Sequence, residues 1–185
     1  NIMARPAPDT LPHPVSSLIT GITPQQAQEQ GLPEAEFIAR ILAELSQPGT
    51  CGVGYNSLRF DDEVTRNTLY RNLYSPYDRE WQNGNSRWDI IDMVRACHDL
   101  RPEGIAWPRR TDVDRPSFRL EELTVANGIA HEQAHDSLSD GYANIAIAKL
   151  IREKQPRHYE FLSSLRSKKV ILYHLDMKQM TPILH

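Results

Sequence analysis

The sequence predicts an α/β fold in which helices outnumber short, buried strands. Apolar residues recur at helical spacing in several segments, whereas residues 51–56 form a short apolar run bounded by turn residues, as a buried strand does. Alternating helices and buried strands pack as layers, with the helices covering a sheet. The predicted strands are too few for a complete sheet, so we expect further strands from outside these residues.

Composition favours one globular domain with a short additional piece, since 39% of the 185 residues are hydrophobic and 24% are charged. Charges interrupt every apolar stretch before it reaches membrane-spanning length, so we predict a soluble protein without a membrane contact. Cys51 and Cys97 lie far apart without a second pair, which favours a reducing compartment and a cytoplasmic location. The net charge of -3 does not indicate nucleic acid, but carboxylates gathered around a cation also give an acidic total.

The N-terminal part predicts two helices before the buried strand. Residues 1–4 are weakly strand-like, as the tail of a sheet strand would be. Thr23 is a suitable N-cap, Pro follows at the first helical position, and Gly31 ends this helix. Pro33 opens the next helix, which carries apolar residues at helical spacing and stops at a Pro-Gly pair.

After the strand, the sequence predicts a helix from Asp61 to Leu73. Acidic residues favour a helix N-terminus, so we assign capping roles to Asp62 and Glu63. A loop rich in aromatic residues follows. Three more helices are predicted over residues 88–98, 117–127 and 136–154, the last of them capped by Asp136.

The character of the chain changes beyond Pro156. Basic residues precede the apolar run 170–173, which we predict to be a strand. We therefore divide the chain into a partial first domain, residues 1–155, and the beginning of a small β-rich domain, residues 156–185.

Residues 131–135 match the H-E-x-x-H pattern, which on a helix places two imidazoles around zinc with a glutamate as base. Gly128 ends the preceding helix and Asp136 caps the next, so we place the pattern in a loop. The zinc peptidase built from His131, Glu132 and His135 is the minor alternative, and a solvent-exposed loop residue is the simpler interpretation of His131.

Asp140 shares one face of its predicted helix with Ala143, Ile147 and Ile151. A carboxylate on an apolar stripe is costly to bury unless it is paired or bound to a metal. Two roles fit it from the residues alone: a hydrogen-bonded aspartate at the mouth of the core, or a metal ligand. His135 precedes the helix start, so we expect its imidazole near Asp140.

Four separated motifs resemble, in order and spacing, the DEDD exonuclease superfamily in its His-containing branch. They are Gly54 to Glu63, Asn85 to Asp89, Ser117 to Glu121, and His135-Asp136-(x)3-Asp140. The resemblance extends across nearly the whole chain. It implies a ribonuclease-H-like fold and a 3′→5′ exodeoxyribonuclease that releases nucleoside 5′-monophosphates from single-stranded DNA with two Mg²⁺ ions, in DNA repair or recombination.

The resemblance also implies roles for individual residues. His135 takes the proton from the attacking water, Asp140 is a direct Mg²⁺ ligand, and Asp61 holds the metal site. Carboxylates suit Mg²⁺, and two such ions clamp the attacking and leaving oxygens of an in-line displacement. The residues implied to contact single-stranded DNA are Arg66, Tyr77, Trp81, Arg95 and Arg119. By its position alone, Arg119 also fits a solvated side chain.

A first motif, Asp-x-Glu on a sheet strand, supplies the remaining metal carboxylates in that superfamily, and we expect it before Asn1. We therefore expect these residues to be a piece of a longer enzyme, inactive on their own and followed by the rest of an SH3-like domain. A missing central strand predicts an exposed sheet edge or a strand donated by another chain. A single-stranded-DNA-binding protein is a further expected partner, and a DNA-binding remnant without catalysis is the alternative.

Overall fold

The structure is a computed structural model that describes residues 2–110, 113–129 and 137–175. Within these ranges the chain forms the α/β arrangement of helices and short strands that the sequence predicts. The helices are α1 (Pro14–Thr20), α2 (Pro24–Gln30), α3 (Glu34–Leu45), α4 (Asp61–Arg71), α5 (Ile90–Leu100), α6 (Leu120–Ala126), α7 (Ser137–Lys154), α8 (Pro156–Ser164) and α9 (Lys168–His174). The strands are β1 (Cys51–Gly54), β2 (Ser86–Asp89), β3 (Arg109–Arg110) and β4 (Arg115–Pro116).

The core forms where α5, α6 and α7 pack against one another. The predicted apolar face of α7 is buried, since Ala143, Ile147 and Ile151 are each 1% exposed. Val94 of α5 and Leu123 of α6 belong to the same buried cluster. Removing this apolar surface from water stabilises the helices against one another.

The sheet consists of β1 and β2, which pair in parallel with Cys51 opposite Ser86 and Gly54 opposite Asp89. Strand β1 confirms a strand within residues 51–56, although it is shorter and is not buried as predicted, since Val53 is 52% exposed. The helix predicted over residues 88–98 begins too early, because Trp88 and Asp89 belong to β2. Asp89 caps α5, and its carboxylate accepts from the Ile91 N–H at 3.1 Å.

The described residues place no third strand beside β1 and β2. Val53 of β1 is 52% exposed, so the sheet presents an open face. The exposed sheet edge that the sequence predicts is not tested by this, because side chains report on the faces of a sheet and not on its edges. Pairing with a strand from another chain stays a prediction.

The N-terminal region differs in part from its prediction. Ala4 forms an isolated parallel bridge with Leu32, the only trace of the expected strand tail among the described residues. Helix α1 was not predicted, because its seven residues carry no buried apolar position. Helix α2 begins as predicted, with the Thr23 hydroxyl accepting from the Gln26 N–H at 3.1 Å.

The strand prediction for residues 170–173 is wrong, because they lie inside α9. A four-residue apolar run does not distinguish a strand from a helix by its pattern. Helix α8 packs on α7 and α5, and Tyr159 and Leu162 cover the same core. The assignment of residues 156–185 to a second domain stays a prediction.

Among the described residues, no helix combines the length and the apolar character needed to cross a membrane.

Candidate active site and nucleic-acid surface

A cleft of about 880 Å³ surrounds β1 and its carboxyl end. It also reaches the start of α4, the segment before α6 and the first turns of α7. Its charged and amide lining residues include Asn56, Asp61, Asp62, Arg79, Arg95, Arg110, Arg119, Glu121, Asp140 and Asn144. The structure therefore brings together four of the predicted site residues: Asp61, Asp140, Arg95 and Arg119.

The turn between β1 and α4 places Asp61 at the edge of this cleft. Asn56 adopts the left-handed conformation, with φ of 59°, which asparagine tolerates better than most residues. At Gly54 a Cβ atom would collide with the side chain of Ser57, so the close approach of the chain requires glycine there. A short 3₁₀ turn, Ser57–Arg59, then leads into α4, whose first residue is Asp61.

Asp89 fixes this turn from the neighbouring strand. Its carboxylate is 7% exposed and accepts from the N–H groups of Asn56 at 2.7 Å and Leu58 at 3.1 Å. The same carboxylate caps α5 through Ile91. Bonds from backbone N–H groups to a buried carboxylate are charge-assisted and short, so they hold the path to Asp61 in one position.

The carboxyl group of Asp61 lies in an acidic environment. Desolvation by the surrounding protein raises its pKa, and the nearby carboxylates of Asp62 and Asp89 raise it further, against the lowering effect of its own backbone hydrogen bond. Desolvation and like charges both disfavour a lone carboxylate, and a bound cation would favour it. This electrostatic setting suits a metal ligand.

Asp140 lines the cleft from the first turn of α7, and Asn144 lines it one turn further along. No described residue supplies a hydrogen-bond partner to the buried Oδ1 atom of Asn144. The atoms that the described residues of the cleft offer to a metal are carboxylate and amide oxygens, which are the ligands that Mg²⁺ prefers. These oxygen ligands fit a magnesium site. In the described ranges, however, no group of three His, Cys, Asp or Glu residues is assembled for a metal.

Arg95 and Arg119 bring positive charge to the cleft. Arg95 lies on α5 and is 3.1 Å from Asp92, whereas Arg119 precedes α6 and is 3.5 Å from Glu122. The Arg95 side chain is 44% exposed and the Arg119 side chain is 64% exposed, so both are accessible to an anionic ligand. Arg119 is the N-cap residue of α6 rather than a residue within the helix.

Tyr55 connects β1 to the segment that carries Arg119. Its hydroxyl donates to the carbonyl oxygen of Phe118 at 2.7 Å. Burial raises the pKa of Tyr55, so the hydroxyl keeps its proton and remains a donor. The contact fixes Arg119 relative to the floor of the cleft.

Three other predicted residues, Arg66, Tyr77 and Trp81, do not line the cleft. Arg66 is bonded to Glu80 and lies over the Tyr77 ring, 5.2 Å from its centroid. Tyr77 and Trp81 are 56% and 64% exposed. Both aromatic side chains are therefore accessible to solvent outside the cleft.

The predicted general base, His135, lies outside the described residues, as do His131, Glu132 and Asp136. The proposed role of His135 and the alternative zinc pattern therefore both stay predictions.

The capping role assigned to Asp62 is wrong. Asp62 is 7% exposed, and its carboxylate accepts from Arg79 at 2.8 Å and from Arg87 at 3.1 Å. Glu63, also assigned to capping, bonds instead to Arg66 at 2.5 Å. The partners of Asp62 lie 17 and 25 residues further along the chain, so local sequence gave no signal for this cluster.

Asp89 and Asn144 were not recognised as site residues either. Asp89 was treated only as part of a motif, because its bond to Asn56 spans 33 residues. Asn144 could have been found from its spacing of four residues from Asp140, which places both on one helix face.

The family described as Exonuclease (RNase_T) matches residues 1–148. Exodeoxyribonuclease I of Haemophilus influenzae is 56% identical over 177 residues, which are 96% of this chain and 37% of that protein. Exodeoxyribonuclease I of Escherichia coli K12 is 54% identical over 181 residues, which are 98% of this chain and 38% of that protein. The chain thus spans less than two fifths of the length of these two relatives.

Solved structures of exonuclease I also match this chain. E. coli exonuclease I in complex with a dA16 oligonucleotide matches with a TM-score of 0.91 and 54% identity, over 96% of this chain and 38% of that one. A complex of SSB and exonuclease I with an inhibitor matches with a TM-score of 0.90 and 53% identity, over the same shares. The zinc-bound form of the E. coli ExoI–ssDNA complex matches with a TM-score of 0.88 and 53% identity, again over 96% and 38%.

These matches confirm the ribonuclease-H-like exonuclease fold predicted from the motifs, and the chain belongs to the RNase_T exonuclease family.

Proposed function

We propose that the protein containing this chain is a 3′→5′ exodeoxyribonuclease that hydrolyses single-stranded DNA to nucleoside 5′-monophosphates with Mg²⁺. The observation that carries the proposal is the meeting of Asp61 and Asp140 with Arg95 and Arg119 in one cleft. Carboxylates that hold a hard cation, beside guanidinium groups that hold phosphate, are what phosphodiester hydrolysis requires.

In this proposal Asp61 and Asp140 hold the metal, which when bound polarises the scissile phosphate and lowers the pKa of a water molecule. Arg119 and Arg95 bind the phosphate groups of the terminal nucleotides and orient them. His135 accepts the proton of the attacking water, a task that suits an imidazole with a pKa of about 6.5.

Tyr77 and Trp81 bind bases further along the strand. Every base has a π-face, so stacking on exposed aromatic rings is tolerant of sequence, and each stack contributes about 1–3 kcal/mol. Their exposure leaves both rings accessible to bases. Arg66, whose guanidinium lies over the Tyr77 ring and is paired with Glu80 and Glu63, is the further DNA contact that we propose at this surface.

We further propose that the protein acts in DNA repair or recombination in the cytoplasm and binds a single-stranded-DNA-binding protein. The support is the SSB-containing complex of a relative that shares 53% of the aligned residues. Binding of a purified single-stranded-DNA-binding protein to the complete protein, measured by calorimetry, tests this partnership.

The 185 residues alone are proposed to bind single-stranded DNA weakly without cleaving it. Within the described ranges Asp62 is paired with Arg79 and Arg87, so the cleft aspartates that we propose for the metal are Asp61 and Asp140. Digestion of single strands by this chain alone in Mg²⁺ would contradict the proposal.

The test of the main function uses the complete protein on single-stranded DNA labelled at its 5′ end, with Mg²⁺. We expect stepwise shortening from the 3′ end, and Asp140→Asn to lower the rate by more than about a hundredfold, the scale of losing a key electrostatic contact with the transition state. The matched control is Asp99→Asn, because the Asp99 side chain is 69% exposed on α5.

Shortening from the 5′ end, or an Asp140→Asn variant as active as the control, would overturn the assignment. Stoichiometric zinc that is lost on His131→Ala would favour the zinc peptidase instead.

A further inference from the structure

The turn from Tyr77 to Trp81 buries Arg79 and most of the Glu80 side chain and exposes its two aromatic residues. Arg79 is 7% exposed and the Glu80 side chain 10%, whereas Tyr77 and Trp81 are 56% and 64% exposed. In water, buried aromatic residues and exposed charged residues are normally more stable, because desolvating charges is costly and burying aromatic surface is favourable. The buried charges of this turn therefore need specific contacts that compensate their desolvation.

Glu80 is the centre of those contacts. Its carboxylate accepts from Arg66 through two bonds, Nε at 2.8 Å and Nη2 at 2.9 Å, the bidentate geometry of a strong ion pair. It also lies 3.3 Å from Arg87 and 3.7 Å from Arg79. Asp62 of α4 contacts Arg79 and Arg87 as well, so the cluster connects α4, the turn and β2.

The same turn holds the two aromatic residues through its backbone. The N–H of Glu80 donates to the carbonyl oxygen of Tyr77 at 2.9 Å, and the N–H of Trp81 donates to that of Asp78 at 3.3 Å. Anchoring Glu80 therefore anchors the backbone between the two rings. Through its carboxylate, Glu80 also holds the guanidinium of Arg66, which lies over the Tyr77 ring.

Buried ion pairs add little net stability, because desolvation offsets most of the attraction, but they fix geometry. Fixed geometry matters for an exposed aromatic surface, because rings that are already oriented lose less conformational entropy when a ligand stacks on them.

We propose that Glu80 is a positioning residue that holds Tyr77 and Trp81 as a preformed platform for stacking the bases of single-stranded DNA. Glu80 acts through Arg66 and the turn backbone and does not itself contact the DNA. The inference rests on the proposed function, since it deepens the same single-strand binding surface.

The test compares binding of two oligonucleotides of equal length and charge, oligo-dT and one made entirely of abasic sites. The complete protein carries Asp140→Asn as the reference, so that the DNA is not digested in Mg²⁺. Adding Glu80→Ala is expected to raise the Kd for oligo-dT about tenfold, the scale of one lost base stack, and not to raise the Kd for the abasic strand, which has no bases to stack. Glu80→Gln, which keeps the shape of the side chain, tests the charge if the alanine variant does not fold.

The matched control is Glu36→Ala, which removes the partner of another Glu–Arg pair, with Arg40 at 2.6 Å, on α3. It is expected to change neither Kd. The double variant Glu80→Ala with Tyr77→Ala is expected to weaken binding of oligo-dT by less than the sum of the two single losses, because the Tyr77 stack can be lost only once.

Equal weakening on both oligonucleotides, or additive losses in the double variant, would overturn the positioning role while leaving the proposed function in place. A reference protein that binds neither oligonucleotide would instead overturn the proposed function, and the platform with it.

Discussion

In the core around α7, Ile147 is 1% exposed among apolar neighbours, whereas the wall of the cleft is built around the buried carboxylates of Asp89 and Asp62, each 7% exposed. The core is held by burial of apolar surface, which has no preferred direction. The cleft wall is held by hydrogen bonds and ion pairs, which do. Asn85 continues this pattern, since its side chain joins Leu45 and Thr50 at 3.1 and 3.0 Å.

The two regions therefore differ in what they contribute: the core mainly stabilises the fold, and the cleft wall mainly fixes the positions of its atoms. A hydrogen bond contributes about 0.5–1.5 kcal/mol net, less than a buried aliphatic side chain, but it fixes the positions of its atoms. We therefore expect changes in the core to act mainly on the free energy of unfolding, and changes in the cleft wall to act mainly on local order and on activity.

The largest effect is expected from the core. Ile147→Ala should lower the free energy of unfolding by about 2–5 kcal/mol, through lost apolar burial and the cavity left behind. Urea unfolding followed by circular dichroism measures the change. The control is Ile145→Ala on the same helix, where the side chain is 52% exposed and the expected loss is below about 0.5 kcal/mol. Equal losses at both positions would contradict the assignment of α7 to the core.

A smaller but more local effect is expected from the cleft wall. Asp89→Ala should lower the free energy of unfolding by about 1–3 kcal/mol, because N–H groups lose a buried acceptor. Amide hydrogen exchange should accelerate at Asn56, Leu58 and Ile91, whose N–H groups donate to that carboxylate, while α7 stays protected.

In the complete protein, the proposed nuclease activity should fall with Asp89→Ala further than the loss of stability accounts for, because the turn that leads to Asp61 is released. Asp99→Ala, near the C-terminal end of the helix that Asp89 caps, serves as the control and should leave exchange in the turn unchanged. Uniform acceleration of exchange in α7 and the turn would show that Asp89 supports the whole fold rather than the site.

The smallest effect on stability is expected at Asp61. Its pKa is raised in the folded protein, so the folded state binds this proton more tightly than the unfolded chain does. Without metal, the ionised carboxylate opposes folding once the pH exceeds its raised pKa, and this opposition vanishes as the pH falls below the ordinary value of 3.8. Asp61→Asn should therefore stabilise the metal-free protein at pH 7, by less than about 1 kcal/mol because solvent screens the partly exposed group.

Urea unfolding at pH 7 and pH 3 in the presence of a chelator measures this difference, which should disappear at pH 3. Mg²⁺ should then stabilise the unsubstituted complete protein more than the Asp61→Asn variant, because the cation favours the ionised carboxylate. If Asp61→Asn made the metal-free protein less stable at pH 7, the predicted direction of the change in the free energy of unfolding would be wrong.

The sequence by itself determined the α/β class, most helices, the strand at residues 51–54, and the placement of Asp61 and Asp140 at helix starts. These features depend on periodicity, caps and motifs within a few residues, which local sequence carries.

Only the tertiary structure decided three other features. The Asn56 N–H donates a hydrogen bond to Asp89, 33 residues away. Asp62 is buried beside Arg79 and Arg87, and residues 170–173 are helical. The first two depend on which distant groups meet in space. The last was open because a short apolar run satisfies both a strand and a helix until its neighbours are known.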